Sequence, residues 1–376
     1  MIEAIGVIGG GQLGRMLALV AKRMGYRVVV LDPQPHSPCG QVADEQIVAA
    51  YGDLAAIEEL GRRTQIVTYE FENIAIDSVG HLEQHGYRVT PAGSVLRVTQ
   101  DRAAEKAFLR ACGVPTTEFA TVERPEELDA ALAIAGLPVV IKTVRGGYDG
   151  KGQWRAASRA EAENVLRDAG GAAVIVERAV DCACELSVVA ARASDDEAVT
   201  FPVAENVHED GILMTTVAPA RIDDEIALRA QELARNVGQR LGIVGTYCVE
   251  FFLTRAGELL GNEIAPRPHN SGHFTIDVTP CSQYEQHVRA ICGLPLSPPR
   301  MFSRAIMTNV LGDGRGDRLG GVAELLSDPA IVLHVYGKRH AVARRKMGHF
   351  TTIVDGPIDD AALLRAQAAR AKLFWS

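Results

Sequence analysis

Apolar positions set the first reading of the chain. Leu13, Leu17, Val20 and Met24 recur at i, i+4, i+7 and i+11, the spacing of one buried helix face. That helix should start at the glycine turn Gly9-x-Gly11-x-x-Gly14 and stop at Gly25. The apolar run Ile5–Ile8 enters the turn. Strands predicted at 27–31, 66–70 and 87–90, with a helix near 75–85, extend it into a parallel α/β sheet. Asp101 and Arg102 open an alanine-rich helix that should run to about Cys112 and end at Gly113-Val114-Pro115. A first boundary falls near Thr99.

The pattern then changes. Pro138–Val144 reads as a buried strand, Arg145–Gly152 as a glycine loop, and a further strand follows. Strands are predicted at 173–178, 184–193, 198–207 and 212–218, then a helix over 223–241 with Ile226, Ala230, Leu233, Val237 and Leu241 on one face. Two strands flank Arg255-Ala256-Gly257. Few helices separate these strands, so the region reads as antiparallel α+β. Prolines between Leu294 and Pro299 mark a second boundary. The last part should hold short strands, a basic run and a helix over about 359–372. The fold class is therefore α/β and α+β, in three domains: 1–99, 100–295 and 296–376.

Composition adds exclusions. With 47% hydrophobic and 23% charged residues the chain has the balance of a soluble globular protein. No apolar run reaches the ~18 residues of a membrane span, and the N-terminus has no basic segment of a secretion signal, so a cytoplasmic location is expected. A formal charge of −8 gives no field for nucleic acid; an anionic substrate needs a local cation cluster. Cys182 and Cys184 are the one close pair among seven cysteines and lack the spacing of a zinc or redox motif. Lysine is scarce, seven against thirty-two arginines, so each lysine beside glycines or cations stands out.

Several stretches carry chemistry. The turn at 9–14, with Asp32 closing the next strand, has the form of a nicotinamide-dinucleotide site, but any strand–helix turn of a doubly wound sheet looks alike. The loop Gly146–Gly152 joins strand to strand, unlike the strand-to-helix Walker loop; flexible amides over a strand-borne lysine, Lys142, suit a triphosphate. Strand-edge groups after Glu177 could meet an adenine and Glu185 a ribose. If Ala256-Gly257 is a two-residue turn, Glu250 lies opposite Glu263. Two facing carboxylates in an apolar strand pair call for a cation between them, and Mg2+ suits oxygen ligands beside a polyphosphate. Asn262–His273 adds Arg267, a fork for carboxylate or bicarbonate, and His269 and Asn270, donors to developing negative charge. Lys338, Arg345 and Lys346 form the cation cluster, able to converge on a phosphate monoester.

Six stretches taken in order (Gly9–Met16, Thr68–Ile74, Arg145–Trp154, Glu205–Ile212, Asn262–His273, and the basic run with Met347-Gly348-His349) resemble the ATP-grasp superfamily and, within it, the N5-carboxyaminoimidazole ribonucleotide synthetases. The resemblance implies an ATP-grasp fold, with an N-terminal Rossmann-like preATP-grasp domain and a small C-terminal domain, usually as a homodimer. It implies ligase chemistry of de novo purine biosynthesis. Bicarbonate attacks the γ-phosphate of ATP to give carboxyphosphate and ADP. The amine of 5-aminoimidazole ribonucleotide then takes up the carboxyl and phosphate leaves. ATP is implied to meet Arg102, Lys142, the loop Gly147, Tyr148, Asp149, Gly150, Lys151, Gly152 and Gln153, then Glu177, Arg178, Ala179, Val180, Glu185 and His208, with Asn262 near the phosphates. Mg2+ is implied at Glu250 and Glu263, bicarbonate at Arg267, His269 and Asn270, and the aminoimidazole at Tyr148 and Asp149. Gln12, Leu13, Lys338 and Arg345 are implied to hold the ribonucleotide phosphate, and Glu72 or Glu70 the ribose. Tyr148, Asp149 and His269 are alternative general bases. Three other readings stand beside this one: a sister ligase such as formate-dependent glycinamide ribonucleotide transformylase, an NAD(P)-dependent oxidoreductase, and a catalytically silent nucleotide-binding regulator.

Overall fold

The computed structural model describes residues 2–147 and 152–376. Among the described residues there are four sheets, and the three larger ones carry the candidate site residues.

The N-terminal sheet is four-stranded and parallel, in the order Glu45–Ile47, Arg27–Leu31, Ala4–Ile8, Ile66–Tyr69. Helix Gln12–Arg23 follows Gly11 and buries Leu13, Met16, Leu17, Ala18 and Ala21. The segment 87–90 makes only an isolated bridge, Val67 to Val89, because Pro91 has no amide to carry the ladder on. The short strand Glu45–Ile47 and the helix Leu54–Arg63 complete the unit. Helix Arg102–Ala111 starts where expected: the Asp101 carboxylate accepts from Ala103 and Ala104 N–H at 3.1 and 3.0 Å.

A second sheet is four-stranded and antiparallel, in the order Phe119–Val122, Val174–Arg178, Val139–Thr143, Gln153–Ala156. Helices Leu128–Ala135 and Arg159–Asp168 cover one face around Val139, Ile141, Val174 and Val176. Its two central strands therefore hold Lys142 and Glu177 on a rigid base.

The third sheet is nine-stranded. Its path runs Leu259–Ala265, Gly245–Thr254, Cys182–Arg192, Ala204–Glu209, Ile212–Ala218, Arg304–Leu311, Lys346–Val354 and Ile331–Val335, with Ala198–Thr200 beside Cys182–Arg192. The strand predicted over 198–207 is broken at Pro202, which cannot donate to a ladder. Helix Asp224–Leu241 packs Ala230, Leu233 and Val237 against this sheet. Short strands occur in the C-terminal part as expected (Leu319–Gly320, Ile331–Val335 and Phe374–Trp375), but Arg304–Leu311 and Lys346–Val354 are eight and nine residues long and extend the same large sheet. Among the described residues no helix is long and apolar enough to cross a membrane.

Candidate active site

The hairpin Gly245–Thr254/Leu259–Ala265 places the two acids. Glu250 pairs with Glu263, as expected, but the turn is not the one assumed. Thr254 N–H donates to Glu258 O (2.9 Å) and Gly257 N–H to Thr254 O (3.0 Å), so the loop is Arg255-Ala256-Gly257, with Gly257 at φ +84°. Phe251 then faces Gly261, one step out of the assumed register. One extra residue, Asn262, restores it before Glu263. This bulged Asn262 accepts from Lys142 Nζ at 3.4 Å.

Glu250 is 12% exposed and its carboxyl is pushed up to about 8, first by burial and then by the charge of Glu263. Such a pair fits a divalent cation: Glu250 and Glu263 would hold it, and its charge would offset their mutual repulsion. Arg102 Nη1 approaches Glu263 at 3.6 Å, and His269 Nε2 approaches Glu250 at 3.5 Å.

On one side of the acids lies a buried charge cluster. Glu177 (3% exposed) meets Lys142 Nζ at 2.8 Å and Lys106 Nζ at 3.4 Å. Burial alone would raise the Glu177 carboxyl; the two ammonium groups outweigh it and hold it at about 2. Lys106 also donates to Gly261 O (3.3 Å), and its neighbour Glu105 accepts from Ile264 N–H at 2.6 Å. Lys106 and Glu105 were missed from the sequence, although Lys106 is one of only seven lysines and stands one helical turn after Arg102. Arg102 also reaches the loop, donating to Gly147 O at 3.2 Å. Gly152, at φ +69°, and Gln153 open the return strand, Gln153 paired with Lys142. Tyr148, Asp149, Gly150 and Lys151 lie outside the described residues.

Arg178 is turned away: its Nε donates to Ala135 O at 2.6 Å, and its backbone N–H and carbonyl are taken by Glu118 O and Thr117 Oγ1. Its side chain alternates to the opposite sheet face from Glu177, so the ATP contact carried over to it is not supported by this placement. Ala179 N–H donates to Pro138 O. Glu185 stands 2.8 Å from His208 Nδ1, and the acid pair Glu185 and Glu250 outweighs burial to raise that imidazole.

On the other side, the turn after Ala265 is built on buried polar groups. His269 N–H donates to Gln283 Oε1 (2.8 Å), and its Nδ1 bonds Ser271 Oγ (2.8 Å), which in turn receives Ser187 Oγ–H (2.8 Å). Burial, then Arg267, pushes His269 well below the usual imidazole range, so it is neutral. The Asn270 and Asn309 amides bond each other at 3.1 and 2.6 Å, giving Asn309 a task that the sequence left blank. Arg267 is not open as expected: its Nε and Nη2 fork onto both oxygens of Glu72, the second at 3.0 Å. The two residues assigned to bicarbonate and ribose are thus partners.

The glycine turn answers the dinucleotide question. Its amides are not bare: Gly9 N–H bonds Leu31 O, Gly10 N–H bonds Asp32 (2.7 Å), and Glu70 takes Gly11 and Gly14 N–H. Asp32 is 7% exposed and also accepts from Tyr51 Oη–H (2.6 Å) and Gln34 N–H (2.8 Å), so both its oxygens are already engaged by the protein's own donors and it is held away from the role of an open ribose ligand. A Cβ at Gly10 would come within 2.2 Å of Ser37 Oγ and 2.7 Å of Asp32 Cβ, so glycine is required here by close packing of the protein's own groups. Glu70 is thereby a helix cap, leaving the first-turn amides of Gln12 and Leu13 beyond its two bonds.

The basic run acts on the same groups through its charge. Lys338 lies over the Tyr336 ring (5.6 Å) and donates to Lys346 O (2.6 Å). Its charge acts on Glu70, and that of Lys346 on His208 and His269. Gln41 donates to Gly337 O at 2.7 Å, tying the run to the N-terminal unit. Arg345 is exposed in the loop that precedes strand Lys346–Val354.

Antiparallel strands joined through a glycine-rich sequence, a lysine on the first of them and an acid pair on a second sheet define the class: the chain is an ATP-grasp protein. Residues 107–284 match the ATP-grasp domain family, 2–100 the ribonucleotide synthetase preATP-grasp domain, and 305–360 the phosphoribosylaminoimidazole carboxylase C-terminal domain. The chain is 45% identical over 352 residues to the N5-carboxyaminoimidazole ribonucleotide synthase of Bacillus subtilis, covering 92% of this chain and 90% of that one. The ADP complex of an N5-carboxyaminoimidazole ribonucleotide synthetase superimposes with TM-score 0.92 at 43% identity, covering 98% and 96%. The Aspergillus clavatus synthase with ADP and 5-aminoimidazole ribonucleotide gives TM-score 0.89 at 31% identity, with 98% of each chain covered. The chain belongs to the N5-carboxyaminoimidazole ribonucleotide synthase family.

Proposed function

We propose that this protein uses ATP and bicarbonate to carboxylate the amine of 5-aminoimidazole ribonucleotide, giving N5-carboxyaminoimidazole ribonucleotide, ADP and phosphate. The observation that carries this reading is the acid pair Glu250/Glu263, flanked by the Lys142–Glu177–Lys106 cluster on one side and the Arg267–Asn270 turn on the other. The named relatives support the substrate; a sister ligase using formate and a nicotinamide enzyme are both disfavoured, the latter also by the internally bonded Asp32.

In this reading the triphosphate lies over Lys142 and beneath the 145–153 loop, with the base against the Ala179 carbonyl and Val180 amide and the ribose near Glu185. Glu250 and Glu263 hold Mg2+, which when bound offsets charge on the phosphates. Arg267, oriented by Glu72, and Asn270, oriented by Asn309, place bicarbonate for in-line attack of its oxygen on the γ-phosphorus, breaking the bond to ADP. The amine nitrogen then bonds the carboxyl carbon and phosphate leaves. The amine proton goes to one of Tyr148, Asp149 and His269; burial keeps the last of these neutral and able to accept it. The ribonucleotide phosphate sits on the Gln12 and Leu13 amides and is closed over by Lys338 and Arg345, with the protein acting in the cytoplasm as a homodimer.

The direct test is phosphate release with ATP, Mg2+ and both co-substrates. Release should need bicarbonate and the aminoimidazole ribonucleotide together, and formate should not replace bicarbonate; turnover with formate, or none with any acid, overturns the proposal. A second expectation concerns Arg267. Arg267→Lys keeps the charge but loses the fork onto Glu72, so kcat should fall about 10²–10³-fold with a smaller change in KM for ATP. Glu72→Gln, which weakens only the orientation, should cost less.

A further inference from the structure

Helices Leu54–Arg63 and Ile76–Gln84 pack side by side on the N-terminal unit, away from the residues assigned to catalysis. Across this seam three side chains converge. His81 and His85 stand one helical turn apart with ring centroids 4.1 Å from each other, and Glu58 Oε2 faces His81 Nε2 at 3.4 Å. One ligand atom from each of the three lies within 4.8 Å of the others.

Supporting bonds already orient the donors. His85 Nδ1–H donates to His81 O at 2.8 Å, which fixes the tautomer and leaves the Nε2 lone pair outward. Arg62 Nη1 holds Glu58 Oε1 at 2.9 Å, leaving the other oxygen toward the imidazoles. The rings are tilted by 35°, so a shared ion requires a small rotation of the exposed His85 about its Nδ1–H bond to His81 O. A second cluster of the same composition, Asp277, His334 and His349, differs on this point: the His334 and His349 rings are stacked at 17°, and His349 is fully buried. Stacked, near-parallel rings aim their in-plane lone pairs side by side rather than at one point, and burial prevents rotation.

We propose that Glu58, His81 and His85 bind a divalent transition metal of the Zn2+, Ni2+ or Cu2+ type, with water completing the sphere. Two imidazoles and one carboxylate favour these ions over Mg2+, which prefers oxygen alone. The ion bridges two helices and so stabilises the N-terminal unit without touching the site.

The test uses the full chain without a histidine tag, in millimolar Mg2+ to fill the Glu250/Glu263 pair. Zn2+ is titrated against a chromophoric chelator. The parent should bind one equivalent more than the His81→Ala/His85→Ala double variant, and His85→Ala alone should weaken that site at least about tenfold. Zn2+ in large excess over Kd should raise the parent's melting temperature by a few degrees and leave the double variant's unchanged. Carboxylation without Zn2+ should be equal in all three, which shows that the variants fold. Equal Zn2+ stoichiometry and affinity in parent and double variant, or no uptake by the parent, overturns the proposal.

Discussion

Glu250→Gln should abolish turnover and, in metal-free buffer, make the protein more stable. The two results share a cause. Burial and the neighbouring Glu263 push the Glu250 carboxyl from its ordinary range up to about 8. Between those pH values the folded protein binds a proton that the unfolded chain releases. The stability linked to this group is therefore present below about pH 4.5 and lost as pH rises toward 8. Glutamine has no charge to bury, so the variant's melting temperature should exceed the parent's above about pH 5, the gap widening to about pH 8. Catalysis runs the other way: loss of a metal ligand removes several kcal/mol of transition-state stabilisation, at least about 10²-fold in kcat. Thermal melts in chelator across pH 5–8, with the phosphate assay, check both. A variant that melts lower than the parent and still turns over would sink the assignment.

Glu177→Gln should do the opposite to stability. It leaves Lys106, 1% exposed, and Lys142, 9% exposed, facing each other with no counter-charge. Breaking one member out of a buried ion cluster costs about 3–5 kcal/mol. Because the Glu177 carboxyl is held at about 2, its contribution is complete above the ordinary carboxylate range and lost as pH falls toward 2. The melting temperature of the variant should thus fall by many degrees at neutral pH, and the gap to the parent should narrow in acid. KM for ATP should rise as Lys142 loses its anchor. Adding Lys106→Met should recover much of the stability, since it removes one of the orphaned charges. Denaturant titrations of the parent, both single variants and the double variant measure the coupling; additive effects would show that the three groups do not act as a unit.

Residue patterns made most of the fold legible, because local periodicity and glycine punctuation act within a few residues. What they could not reach depends on groups far apart in the chain. Glu72 and Arg267 are 195 positions apart, so nothing in either motif announced that the two hold each other. The acid pair was foreseen through the wrong turn: a three-residue loop and the Asn262 bulge cancel, which strand spacing alone cannot reveal. Asp32 had the right position for a ribose ligand, and only the placement of Gly10 and Tyr51 shows it spent on the protein's own groups. Lys106 lies in an amphipathic helix whose pattern reads equally well without it; its meaning comes from Glu177 on another sheet.

The continuous large sheet has a bearing on where the chain tolerates change. Parts of proteins are exchanged most easily at seams crossed by few main-chain bonds. Here strand Ile212–Ala218 is laced along Arg304–Leu311, so cutting the chain near residue 295 would strip one flank of a fully buried strand and leave a sticky border. The strands on either side of residue 295 therefore form one folding unit, and change in sequence is better tolerated in the loops than at this seam.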